Sequence, residues 1–520
     1  MISLLRASRT AMAVCAIAAA SVLPAMAQSR PDLTVAVADI PPTLEPAQEL
    51  SNVGTRVTYS MFDTLIRRDF LSSPKGDGSK LVPSLAESWK RIDGRTLEVK
   101  LRPNVKFHNG EIMTADDVVF TFSPERLSGK NAVMKQGPGF FGGLEKVEAI
   151  DPATVRFVTK SVDPILEQRL ASWASWIVNK KDWMANANGK FPKFPVGTGP
   201  FKLSEYKPNE SIKLAAFDDY FGGKPTVQSV IFRVVPEQAT RIAGLVSGEF
   251  DIIANVSPDQ IQQINSYPDI EARSVVLANA HVLVYNTENP VIKDKRVRQA
   301  MNLAIDRNLL VEALWNGQAV VPKSHQFPEF GALYDDKRAG LVYNPEKARQ
   351  LLKEAGYKGE EIHYATRANY YLNAVPAAQA IMEMWKAVGI NGKLDIVENT
   401  DTITGDLKMV RNWSNSIRYP DPAGGLWNLW GPYNGPQQNK EWTPVEFNKL
   451  GEELDQSSDL AKRRDVFQKM LDAWEDDAPG TILYQPLETY GARKAVNWKP
   501  YNFYYMDLRP YNLTVEAKRS

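Results

Sequence analysis

The sequence predicts an α/β protein of at least two lobes, and three observations lead there. The chain has 520 residues, too many for one hydrophobic core. Short strand patterns alternate with well-marked helices along it. No internal repeat and no low-complexity linker interrupts the pattern, which suits lobes joined by strands rather than by a loose tether. The composition is 43% apolar and 24% charged, with a formal net charge of +1. That balance gives no electrostatic reason to expect nucleic acid or anionic lipid as a partner.

Strands are expected where apolar residues alternate: LTVAV at 33–37, LEVKLR at 97–102, 155–159, 230–235 and HVLVYN at 281–286. A helix is expected from Asn344-Pro345, a cap followed by a first-turn proline, to Gly356, a left-handed stop. Thr443-Pro444-Val445-Glu446 reads as a capping box with proline at the first helical position. Val297, Ala300, Met301, Ala304 and Ile305 share one helical face, as do Ile381, Met384, Trp385 and Val388. Phe467, Met470, Leu471 and Trp474 form a third stripe. Such stripes are expected in the core. The 12 Trp and 19 Tyr mostly fill cores too, with some left to line a cleft.

The N-terminus has the order of an export signal. Arg6 and Arg9 precede an Ala-rich apolar stretch from 10 to 23, then Ala25-Met26-Ala27 before Gln28. The apolar stretch is too short for a stable membrane anchor. Residues 1–27 are expected to be removed, leaving a product free in the periplasm. The lone cysteine, Cys15, lies inside that segment. The mature chain then has no disulfide, no thiolate chemistry and no cysteine metal site. Removing two arginines takes the charge from +1 to −1.

The chemistry-bearing motifs are sparse. The histidines at 108, 281, 325 and 363 do not stand at metal-ligand spacing, and no metal or other cofactor is expected. There is no nucleophile elbow and no phosphate-binding loop. Gly197-Thr198-Gly199-Pro200 lacks the following lysine and reads as a rigid turn between strands. Asp116 and Asp117 follow Thr114 and read as first-turn helix acids rather than paired catalytic carboxylates. A secreted hydrolase would need a base and a nucleophile that the sequence does not offer, so an enzyme is not expected.

Four blocks resemble the family 5 extracellular solute-binding proteins, which include dipeptide, oligopeptide and nickel receptors of ABC importers. The first runs LVPSLAESWK, LEVKLRPNVKFHNGE and TADDVVFTF between 81 and 122. The others are VGTGPF at 196–201, VRQAMNLAIDR at 297–307 with Gly317, and YPDP at 419–422 after Trp413. In the family the first of these, P-x-L-A-x-S-W, is a helix. The resemblance implies the two-lobed periplasmic binding protein fold, class II, of the family 5 type with an extra subdomain in lobe I. It implies lobe I over 28–280 and 485–520, with lobe II inserted over 281–484 and crossings near His281–Asn286 and Tyr484–Pro486. It further implies a monomer that closes on a small-molecule ligand and presents the closed form to the membrane subunits of an ABC importer.

One position departs from the peptide-binding members. They carry an aspartate for the ligand's α-ammonium three residues before the Asp-Pro of the fourth block; here that position is Arg418. An ammonium about 4 Å from a guanidinium suffers roughly 4 kcal/mol at an effective dielectric near 20, whereas a carboxylate gains a forked pair. Arg367 matches the arginine that dipeptide receptors place shortly before the helix expected here from Pro376. The expected ligand-binding residues are Arg418, Arg367, Trp413, Asn415, Tyr370 and Asn369. The ligand is expected to be peptide-like or anionic, such as an opine or another carboxylated solute. A general di- or oligopeptide receptor is the alternative. Arg418 has an alternative too, a structural pair with Asp421. Trp413 is equally placed for stacking on ligand or for core packing, and Trp427 and Trp430 are expected to pack.

Overall fold

A computed structural model describes residues 30–72, 76–129, 131–186, 194–368 and 370–516. The export segment, Cys15 and Asn369 lie outside the described residues. Two large sheets organise the chain. A seven-stranded sheet has the order Ile270–Val276, Leu487–Arg493, Ile252–Ile253, Asp32–Val37, Ser229–Val234, Ser211–Ala216 and Phe201–Lys207. A five-stranded sheet has the order Gly392–Val397, Ile362–Arg367, Val410–Ser416, Asn279–Tyr285 and Gly480–Tyr484. The chain passes between them at Leu277–Ala278 and again at Gln485–Pro486. The two passages are tied together: the Leu277 amide donates to the Pro486 carbonyl at 2.9 Å, and the Gln485 side chain donates to the Leu277 carbonyl at 3.1 Å.

The strands form where apolar side chains recur at every second residue. Asp32–Val37 buries Leu33, Val35 and Val37 on one face and pairs in parallel with Ser229–Val234. Asn279–Tyr285 is buried on both faces. Its Leu283 and Tyr285 meet helices Lys295–Leu303, Arg307–Trp315 and Ala374–Ala387. Its Ala280, Val282 and Val284 belong to the core that includes Leu426, Trp430 and the helix stripe Phe467, Met470, Leu471 and Trp474. This α/β layering follows from a sheet apolar on both sides needing helices on both sides.

A smaller antiparallel sheet, Ala86–Arg91, Thr96–Leu101, Thr154–Thr159 and Leu144–Asp151, makes a subdomain within the first lobe's sequence. It corrects one expectation. LVPSLAESWK is not a helix: its Ala86–Arg91 part is a strand that pairs with Thr96–Leu101. Ser88 and Lys90 point outward while Trp89 and Arg91 are half-buried, an alternation of period two, and a hairpin partner four residues on decides the outcome.

Two further local expectations are corrected. Pro444 stands at the cap of helix Val445–Gln456 rather than at its first position, and no side-chain capping bond forms there. Among the described residues no strand precedes Gly197–Pro200 after helix Lys180–Asn186, and the segment leads into Phe201–Lys207. Its rigidity is nonetheless explained. A Cβ on Gly197 or Gly199 would collide with the Met61 backbone. His108 clamps the segment: Nδ1 accepts from the Gly197 amide at 3.2 Å and the ring's other nitrogen meets the Gly199 carbonyl at 3.0 Å. Accepting at Nδ1 fixes the proton on Nε2, and burial pulls the imidazole down to about 4. Two of the blocks that carry the family resemblance thus meet in one knot.

Asp117 accepts from the Thr114 amide at 2.9 Å and from the Lys180 amide at 2.9 Å. It is a capping and tethering acid. Helix Pro345–Ala355 runs from the Asn344 cap to a left-handed Gly356, as its punctuation requires.

Candidate functional site

The parallel strands Ile362–Arg367 and Val410–Ser416 end on the same edge of the five-stranded sheet. In open α/β sheets, ligand crevices lie beyond the carboxyl ends of such strands. This edge meets the other lobe. The Ser416 hydroxyl donates to Asn52 Oδ1 at 3.2 Å. Arg169 donates to the Tyr419 hydroxyl at 3.0 Å and pairs with Asp455 at 2.5 Å.

Arg418 lies just past the strand end and is 8% exposed. Its Nη1 donates to Asn428 Oδ1 at 3.1 Å and its Nη2 to Gln136 Oε1 at 2.6 Å. The guanidinium carbon lies 4.4 Å from the Phe140 ring centroid and 5.6 Å from that of Trp173. Gln136, Phe140 and Trp173 all come from the first lobe. Among the described residues no carboxylate reaches Arg418 within 4.0 Å. Burial pulls its pKa down to about 10, against the opposing influence of Tyr419 and Tyr505.

Asp421 is not the partner of Arg418. It forms a forked pair with Arg463, at 2.9 and 2.8 Å, with both side chains buried. Its Oδ1 also accepts from the Ala423 amide at 2.9 Å. The structural pairing considered from the sequence therefore belongs to Arg463. A forked site satisfied by one guanidinium leaves little for a second.

Arg367 is the last residue of its strand, half-buried, and its carbonyl accepts from the Tyr370 amide at 3.4 Å. The helix after it begins at Ala374, two residues before Pro376. Burial raises the Tyr370 phenol, while Arg411 and Arg367 nearby oppose the rise. Trp413 lies under Arg411, whose guanidinium carbon is 4.2 Å from the ring, and Arg411 in turn forks onto Glu441 at 2.8 and 2.6 Å. A Cβ on Gly435 would come within 2.3 Å of Trp413 Cη2. Asn415 is 2% exposed, and its Nδ2 has no hydrogen-bond partner among the described residues.

Asn369 lies outside the described residues and Asn415 is buried in its strand; the other four candidates fall into two groups. Arg367 and Tyr370 lie near Arg411 and Trp413. Arg418 lies apart, against the first lobe. Ala365 pairs with Arg411, which puts Arg367 level with Trp413 and Arg418 five residues further on. Five residues of extended chain span about 16 Å. Trp427 and Trp430 pack in the core. Sequence reasoning missed Gln136, Phe140 and Trp173; Gln136 caps the short helix Gly137–Phe141, which opens on Gly-Pro-Gly.

Among the described residues, no group of three His, Cys, Asp or Glu is arranged to hold a metal ion, and no helix is long and apolar enough to cross a membrane. Surface cavities of about 450 and 390 Å³ lie at Phe217–Asp219 and between Ile242 and Tyr267, and neither is lined by Arg418 or Arg367.

The model for bacterial extracellular solute-binding proteins, family 5 (middle), matches residues 80–437. The dipeptide-binding protein of Escherichia coli K12 is 29% identical over 448 residues, covering 80% of this chain and 83% of the relative. The oligopeptide-binding protein AppA of Bacillus subtilis is also 29% identical, over 78% of each chain. Among solved structures, the ABC transporter-associated periplasmic binding protein DppA of Helicobacter pylori, in complex with the peptide STSA, superposes with a TM-score of 0.82. It is 23% identical and covers 94% of this chain and 98% of its own. AgaA from A. tumefaciens R10, in complex with agropinic acid, has a TM-score of 0.79 at 24% identity, covering 94% and 99%. These neighbours share the two-lobed periplasmic binding protein fold, and the proteins of this family bind substrates for transport rather than transforming them. The chain belongs to the family 5 extracellular solute-binding proteins.

Proposed function

We propose that this chain is a periplasmic receptor that captures a small solute bearing an anionic group between its two lobes and delivers it to an ABC importer. The observation that carries the reading is Arg418, a buried cation at the lobe contact with amide oxygens, not carboxylates, on its donors. Removing a charge from water without a counter-charge costs several kcal/mol. A ligand carboxylate would return that cost as a charge-assisted fork. Arg367 and Tyr370 would meet a second, separate part of the solute, which suits a dicarboxylate or an opine-like molecule. The fold shared with a receptor solved with agropinic acid agrees with this. In this reading residues 1–27 direct export, the inserted lobe spans 281–484, and the receptor acts as a monomer.

A second reading, a di- or oligopeptide receptor, is favoured by the relatives at 29% identity that are named for peptides. Calorimetric titration of the purified protein separates the two. The panel is agropinic acid, simple dicarboxylates, and neutral and acidic dipeptides. The anionic reading expects binding that Arg418→Ala removes by tenfold or more, since about 1.4 kcal/mol is a factor of ten. It fails if only neutral, amine-bearing peptides bind and Arg418→Ala leaves their affinity unchanged.

A further inference from the structure

The geometry points to Gln136 as an internal stand-in for the ligand's carboxylate: in the closed receptor it occupies, from the opposite lobe, the Arg418 donor that a bound carboxylate takes. This rests on the reading of Arg418 as the anion contact and specifies how lobe closure and ligand compete there.

Four observations support it. The Gln136–Arg418 bond joins positions 282 residues apart and crosses between lobes at 2.6 Å. The faces of the guanidinium meet first-lobe rings, Phe140 at 4.4 Å and Trp173 at 5.6 Å. A new partner must therefore approach in the plane of the fork, where Gln136 now sits. The other in-plane partner, Asn428, comes from Arg418's own lobe at 3.1 Å and moves with it when the lobes part. Of its two hydrogen-bond partners, only Gln136 is exchanged on opening and closing. Finally, glutamine and glutamate have the same shape, so one oxygen in place of an amide nitrogen would supply the missing counter-charge. A glutamine supplies an acceptor without the charge. It closes the empty receptor weakly and yields to a carboxylate, because a charge-assisted bond is about twice as strong as a neutral one.

The test needs no identified ligand. Thermal melting and the radius of gyration by small-angle X-ray scattering are measured for wild type, Gln136→Glu, Arg418→Ala and the double variant, all without added solute. Gln136→Glu is expected to raise the melting midpoint by several degrees and to make the solution radius that of the closed form. Both effects should vanish in the Arg418→Ala background. A Gln136→Glu variant that melts at or below wild type, or whose gain persists without Arg418, overturns the inference. In a second arm, propionate is added to Gln136→Ala, where it replaces the missing side chain with a carboxylate. It should raise the midpoint of Gln136→Ala and leave Gln136→Ala/Arg418→Ala unmoved; equal shifts in the two count against the inference. Failure here is distinct from failure of the proposed function. If wild type binds anionic solutes in an Arg418-dependent way while Gln136→Glu has no effect, only the role of Gln136 falls.

Discussion

Asp421→Asn isolates the buried pair that sets Arg418 free. The substitution keeps the side-chain volume and the acceptor for the Ala423 amide but removes the charge that faces Arg463. Arg463 and Asp421 side chains are 6% and 5% exposed and meet at 2.8 and 2.9 Å. Solvent cannot replace the lost carboxylate at such a site. Breaking one side of a buried pair costs about 3–5 kcal/mol because a charge is left unpaired. Arg463 keeps its bond to the Leu454 carbonyl at 3.1 Å, so the lower half of that range is expected. Urea denaturation, followed by tryptophan fluorescence, measures the change through the midpoint and slope. Arg463→Met and the double variant complete a cycle in which the second substitution should cost much less than the first. Ligand affinity in Asp421→Asn should stay within threefold of wild type, because Arg418 does not depend on this acid. A loss below about 1 kcal/mol with additive single effects would refute the assignment. So would a tenfold loss of ligand affinity.

Other expectations follow from the same contacts. His281 and His325 are held neutral by burial, each near a pKa of about 3, against an unfolded value of about 6.5. The unfolded chain thus binds more protons between those values. Stability is fully present above pH 6.5 and falls on acidification towards 3, by about 1.4 kcal/mol per unit for each histidine. His281→Phe, which keeps a ring stacked on Tyr371, should flatten that slope, and an unchanged slope would contradict it. Asp455→Ala removes the interlobe ion pair with Arg169; since Asp455 is part-exposed, about 1 kcal/mol of closed-state preference is expected to be lost, read as a larger solution radius. Gly435→Ala should drive Trp413 off its seat and destabilise by about 1–3 kcal/mol; a neutral effect would show that the ring has room to move.

Much of the fold is legible in local patterns. Alternation in LTVAV and HVLVYN and the Asn344-Pro345 to Gly356 punctuation act over a few residues, and the structure follows them to within two residues at most ends. LVPSLAESWK misled because its state is decided by a hairpin partner and not by its own composition. Of the candidate site, the sequence marked single positions and not their contacts. The sequence marked Arg418 by its position before YPDP, but not its surroundings, since Gln136, Phe140 and Trp173 stand more than 240 residues earlier in the chain. The same holds for Asp421: its partner lies 42 residues on, while Arg418, three residues before it, was the alternative partner the sequence offered. Trp413 gave no sign in the sequence that Arg411 would stack on it or that Gly435 would pack against its ring.

The most direct test of the central claim is a crystal structure of protein purified without denaturation, read at Arg418. The account predicts a carried solute whose carboxylate or other anionic group lies within about 3 Å of the Arg418 nitrogens, with Gln136 displaced from Nη2. A solute that presents an ammonium or an apolar group there would contradict it. So would a solute bound elsewhere while Arg418 stays on Gln136 and Asn428.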